Sequence, residues 1–114
     1  MDDYTQLLPH INVAEGSARV SNNLKLYKTL LGKFKARELA DELITGILEN
    51  NADLIAKSAH SLKGVAGNLG LKVLEEIAAD LDNRIKNNQD CSDLTDRISE
   101  ATDAYIKCYE ELVG

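Results

Sequence analysis

Ala59-His60-Ser61-Leu62-Lys63-Gly64-Val65-Ala66-Gly67-Asn68-Leu69-Gly70 is the stretch that decides how the rest of the chain is read. Placed on a helix at about 100° per residue, its residues separate into two faces. Ile55, Ser58, Ala59, Leu62, Val65, Ala66 and Leu69 form one broad apolar stripe, as a core-facing helix requires. His60, Lys63, Gly64 and Gly67, with Ala56 a turn earlier, fall on the opposite side. The pattern predicts a helix beginning near Ala52 and closed by Gly70 as a left-handed C-terminal cap. Its imidazole should face solvent.

A glycine inside a helix costs about 0.5–1 kcal/mol relative to alanine, and here two share the face that carries His60. Glycines that served close helix packing would lie on the apolar stripe instead. A side-chain-poor floor around an exposed imidazole suits close approach by another macromolecule, with Ala56, Gly64 and Gly67 as the docking surface. Lys63, three residues on, is a helical neighbour of His60 and sets a cation beside whatever the imidazole binds. A solvent-facing imidazole in its neutral form is a nitrogen nucleophile. Nucleophile, cation and clearance on one face point to phosphoryl chemistry.

His60-Ser61-Leu62-Lys63-Gly64 followed by Val65-Ala66-Gly67-Asn68-Leu69-Gly70 resembles the signature of histidine phosphotransfer domains, the relay modules of multistep two-component signalling. The run from Gly16 through Ser21-Asn22-Asn23 to Tyr27, continuing by Leu30 and Leu31 to Phe34, is similar to the segment those domains carry before their first long helix. The resemblance spans most of residues 11–70, and the last third matches only in helical pattern. It implies that His60 is the phosphoacceptor, taking a phosphoryl group from a receiver-domain aspartate and passing it to another. It implies that Lys63 neutralises phosphoryl oxygens, and that the magnesium and the acceptor aspartate belong to a response-regulator receiver domain. The chain would then be a carrier with no cofactor and no ATP site of its own, rather than a complete enzyme. It would stand alone or form part of a hybrid sensor histidine kinase. The family often supplies a polar side chain, frequently Gln, from the following helix to orient the histidine; by distance along this chain the residue is Asp82 or Lys86.

Bulk properties narrow the alternatives. With 114 residues, 44 % apolar and 28 % charged, the chain suits a single domain, 1–114, with one core. A net charge of −6 without a contiguous basic run or aromatic platform argues against nucleic-acid binding. No apolar run approaches the ~20 residues of a membrane span, and the start Met1-Asp2-Asp3-Tyr4 lacks the basic and apolar regions of a signal peptide. A cytoplasmic monomer without membrane contact is expected. Cys91 and Cys108 are too few for a disulfide framework and lack metal-ligand spacing. His60 has no His or Cys at one-turn spacing, so no metal site is expected. Cys108 reads as a reduced core thiol, His10 as surface, and the four tyrosines as packing residues with wet hydroxyls.

Outside the central stretch, every segment has helical periodicity. Leu7, Leu8 and Ile11 should pack onto the bundle, and Asn12 with Glu15 resembles a capping box opening a short helix to about Val20. Apolar positions at Leu24, Tyr27, Leu31 and Phe34 are interrupted by Arg37 and Glu38, then resume at Leu39, Leu43 and Ile47, beside Ala40, Ile44 and Leu48. That slip means either a kink near residues 35–38 or two helices joined there. Leu71, Leu74, Ile77, Ala78, Leu81 and Ile85 mark the next helix, roughly residues 71–87. Ser92 is the candidate N-cap of the last, whose stripe is Leu94, Ile98, Ala101, Tyr105, Cys108 and Leu112. Amphipathic helices with short connectors predict an all-α fold, an antiparallel up-and-down four-helix bundle with a short N-terminal cap helix.

Two other functions fit part of the pattern. A non-catalytic helical adaptor would dock a signalling partner through the Gly64/Gly67 face and tolerate loss of His60. The dimerisation helix pair of a histidine kinase would need two subunits to complete a bundle, whereas this chain carries enough helices alone.

Overall fold

The computed structural model describes residues 4–114, and every regular element among the described residues is helical. A 3₁₀ turn at Thr5–Leu7 leads to α1 (Val13–Ala18), α2 (Leu24–Lys33), α3 (Ala36–Leu48), α4 (Ala52–Leu69) and α5 (Lys72–Lys86); a second 3₁₀ turn, Ser92–Leu94, leads into α6 (Thr95–Val113). α3 packs on α4 and α6, α4 on α5, and α5 on α6, closing an antiparallel four-helix ring in chain order. α1 and α2 both lean on the α4 helix, and α2 also touches α6. The short α1 forms the N-terminal cap with α2 beside it, and the molecule is a rod of 47 × 22 × 20 Å.

Asparagines set most of the boundaries. The side chains of Asn12, Asn23 and Asn51 accept the amide hydrogens of Glu15, Leu26 and Leu54 at 3.0, 3.1 and 3.1 Å, each supplying a helix start. Ser21, Asn22, Asn50 and Asn88 take positive φ in the connectors, a region that short polar side chains tolerate better than most. Gly70 closes α4 at φ 75, and Leu71 N–H bonds back to the Ala66 carbonyl at 2.9 Å. The slip at Arg37 and Glu38 resolves as two helices. Phe34 turns extended after α2, and α3 starts a fresh buried stripe of Ala36, Ala40, Leu43 and Ile47.

Two tyrosines depart from the expectation of wet hydroxyls. Tyr27 and Tyr105 are sealed in the core. The Tyr27 hydroxyl donates to the Leu69 carbonyl at the end of α4, and that of Tyr105 to the Leu31 carbonyl near the end of α2, at 3.3 Å. Tyr27 thereby satisfies a carbonyl at the end of α4 that has no intrahelical partner, whereas the Leu31 carbonyl also accepts the Phe34 amide hydrogen at 3.2 Å. Burial, with a smaller push from Glu15, raises the Tyr27 phenol to about 12; burial raises Tyr105 as well. Gly16 makes the α1 crossing possible, since a Cβ there would stand 2.5 Å from both the Leu69 oxygen and the Tyr27 ring.

Other expectations shift at the periphery. Leu7 and Ile11 are buried as expected, but Leu8 and Leu48 are exposed, Leu48 by 74 %, because they flank their elements' packed faces. Cys91 is the buried thiol and Cys108 is half-exposed. His10 is half-buried rather than surface, with Nδ1 shielded from solvent. Ser92 does not cap α6: its amide and hydroxyl instead bond the Asp90 carboxylate, at 3.1 and 2.5 Å. Arg84, braced by Asp80 one turn back on its own helix, ties α5 to this connector through the Asp90 carbonyl and Asp93.

Candidate functional site

His60 lies at the middle of α4 on its exposed side, and its ring borders an open depression. α4 contributes Lys63, Gly64, Gly67 and Asn68 to the lining; Glu15 of α1 and its C-cap Arg19 close one side, and Glu75 and Asp82 of α5 the other. The helix periodicity that buries Ile55, Ser58, Ala59, Leu62, Ala66 and Leu69 is what turns these residues outward.

The two glycines do different things. A Cβ on Gly64 would meet nothing within 4 Å, so the space beside His60 is open. A Cβ on Gly67 would stand 2.8 Å from Glu75 Oε2, so the clearance there is filled by a side chain of the chain's own α5. Both glycines line the depression, Gly64 as open space and Gly67 with the Glu75 carboxylate against it. Ala56 is half-buried and lies outside the depression, which extends from His60 toward the C-terminal end of α4.

Asp82 and Lys86 separate in the same way. Asp82 lines the depression, whereas Lys86 reaches the Asp82 carboxylate at 2.9 Å and does not line it. The hydrogen bond from Lys86 holds the Asp82 carboxyl below the usual carboxylate range, against partial desolvation, and the charges of Lys86, Lys63 and His60 act in the same direction. Asp82 thus faces the His60–Lys63 side while its charge is shared with Lys86. Across the depression Arg19 and Glu15 approach at 3.9 Å, both well exposed, an ion pair of small energetic weight.

Arg19, Asn68 and Glu75 are lining residues that the sequence did not single out. Glu75 carries a faint signal. It stands seven residues back along α5 from Asp82, as Gly67 stands seven residues on along α4 from His60. In an antiparallel pair both offsets are roughly 10 Å in one direction, so Asp82 opposite His60 puts Glu75 opposite Gly67. Among the described residues no group of three or more His, Cys, Asp or Glu side chains could hold a metal ion, and no helix is long and apolar enough to cross a membrane.

The arrangement offers a nucleophilic ring, a cation one turn away, and an opening with no side chain in it. The Hpt domain family model matches residues 33–108, which takes in α3, α4, α5 and most of α6 but leaves out α1 and nearly all of α2. The crystal structure of the HPT domain from a Shewanella Hpt sensor hybrid histidine kinase is similar over 90 % of each chain, with a TM-score of 0.69 and 18 % identity, a likeness of fold. No curated protein sequence matches significantly. The matched span covers the bundle and the helix bearing His60, and the chain belongs to the Hpt domain family, the histidine phosphotransfer carriers of two-component phosphorelays.

Proposed function

We propose that His60 accepts a phosphoryl group from an aspartyl phosphate on a receiver domain and returns it to the aspartate of another. The unprotonated outward nitrogen of the imidazole attacks phosphorus, and the N–P bond forms as the bond to the aspartyl oxygen breaks. The carboxylate leaves with the electron pair, and the other ring nitrogen keeps its proton. In the return step a second carboxylate attacks phosphorus and the N–P electron pair goes back to the ring. Such transfer is mainly positioning and charge stabilisation, which suits so spare a site.

Lys63 neutralises phosphoryl oxygens, and Gly64 admits the rim of the receiver's active site. The magnesium that assists the transfer is the receiver's. Asp82 orients the imidazole, and Lys86 acts through Asp82 by sharing its charge. The observation that carries this reading is the exposed His60 ring beside Lys63 at an opening where a Gly64 Cβ would meet nothing.

The test is incubation with a phosphorylated receiver, followed by mapping of acid-labile phosphate. His60→Ala abolishes labelling if the chain is a carrier. If it is an adaptor, signalling survives that substitution.

A further inference from the structure

The three carboxylates around His60 are not held alike. Glu15 leans on Arg19 at 3.9 Å, and Asp82 is held by Lys86 at 2.9 Å. Glu75, half-buried on the wall of the same depression, forms an ion pair with no cation among the described residues. It lies against bare helix backbone, since a Cβ on Gly67 would stand 2.8 Å from its Oε2. A side chain at position 67 would displace the carboxylate, so the glycine is what lets a negative charge lie over the His60 face of α4.

Lys63 is the matching case. Among the described residues it too has no ion-pair partner, and it stands one turn from His60 on the way to Gly67. Gly67 follows His60 by seven residues, about 10 Å along the helix axis. An unpaired cation and an unpaired carboxylate thus flank one opening. At contact with His60 the nearer ammonium dominates, because Coulomb attraction rises as charges close. From farther out the two charges offset one another, and a chain of net charge −6 repels anions overall.

We infer that Glu75 is a specificity-determining residue of the His60 site, which keeps small free phosphoanions from charging the imidazole. The inference rests on the carrier reading above and adds which phosphodonors the site refuses. In that reading the receiver's phosphoryl group comes with its own domain's magnesium and is brought in by contacts over a whole interface. A free anion such as phosphoramidate reaches the depression with its charge bare. Direct charging is chemically open: the unprotonated ring nitrogen attacks phosphorus, the N–P bond of phosphoramidate breaks, and ammonia leaves with the electron pair. What Glu75 controls is how often the anion arrives. A carboxylate serving only the start of α5, where Glu75 stands in the first turn, would affect helix stability and leave donor preference untouched.

The test uses the whole chain and phosphoramidate, with the label mapped to His60 and His60→Ala as the blank. At low salt Glu75→Gln should be labelled about two- to fourfold faster than the parent, the effect of removing one unit charge about 10 Å from a mono- or dianion in water. Glu75→Lys, which reverses the charge, should be faster still. Both gains should shrink toward none at about 0.5 M salt, which screens charges at that distance. Glu100→Gln makes the same change in net charge at an exposed position of α6 and should be labelled at the parent rate. With a phosphorylated receiver as donor, Glu75→Gln should gain less than with phosphoramidate. Circular dichroism checks that the variants are folded. An unchanged phosphoramidate rate in both Glu75 variants, a gain that survives raised salt, a matching gain in Glu100→Gln, or an equal gain with the receiver would overturn the inference. If phosphoramidate charges Glu75→Gln faster but no receiver charges His60, the exclusion of small anions stands and the carrier reading fails. If receivers charge His60 and the phosphoramidate rates of parent and variants agree, the carrier reading stands and the exclusion fails.

Discussion

Gly64 and Gly67 are one turn apart on the same helix and serve different ends. At Gly64 the missing side chain leaves open space, whereas at Gly67 it makes room for the Glu75 carboxylate. Gly64→Ala should therefore raise stability in a urea melt by about 0.5–1 kcal/mol, the ordinary helix propensity difference, while slowing phosphotransfer because the methyl intrudes where the receiver must come. Asp82 makes a second prediction at this scale. In its proposed role the carboxylate would steady the ring and oppose a phosphoryl group placed on it, so Asp82→Asn should lengthen the lifetime of phosphorylated His60 in buffer without a receiver. An unchanged or shortened lifetime would remove Asp82 from the site. The common face of His60, Lys63 and Gly64 was legible in the sequence because helical periodicity alone settles it. The places of Glu75 and Lys86 were not, since they depend on the register of α5 against α4. Leu48 misled for a related reason: a residue can belong to a stripe by angle and still overhang the end of the packed face.

At the level of elements, the helix ends are where sequence and structure diverge. Asn12 and Gly70 advertised their capping roles, because a cap acts on its own backbone neighbours. Tyr27 did not, because its hydroxyl serves a carbonyl 42 positions away. Tyr27→Phe should cost about 1–2 kcal/mol, the loss from leaving a buried acceptor unsatisfied, measured by denaturant melts. The same residue sets an alkaline limit. Below the unfolded phenol's ordinary value of 10 both states hold the proton; between there and the folded value of about 12 the unfolded state gives it up first. Its contribution is thus complete below pH 10 and is lost as pH rises through about 12. Melts across that window should fall less steeply for Tyr27→Phe than for the parent. The break at Phe34 was visible only as a slipped stripe, and choosing between a kink and two helices needed the packing of Ala36 and Ala40 against the core.

For the molecule as a whole, the bundle follows from amphipathic segments of similar length with short connectors, which leave an antiparallel ring as the way to bury every stripe. The placement of α2 against α4 and α6 does not follow from those stripes, and neither does the approach of Arg19 to the His60 depression. Both arise from tertiary contacts between segments far apart in the chain. The central claim remains that His60 is the atom-bearing site of the relay. The most direct measurement incubates the chain with a radiolabelled phosphorylated receiver and maps the label by mass spectrometry under alkaline conditions. The account predicts an acid-labile label on His60 and none in His60→Ala, whose circular dichroism matches the parent. Label on His10, the other histidine of the chain, or undiminished transfer to His60→Ala, would contradict it.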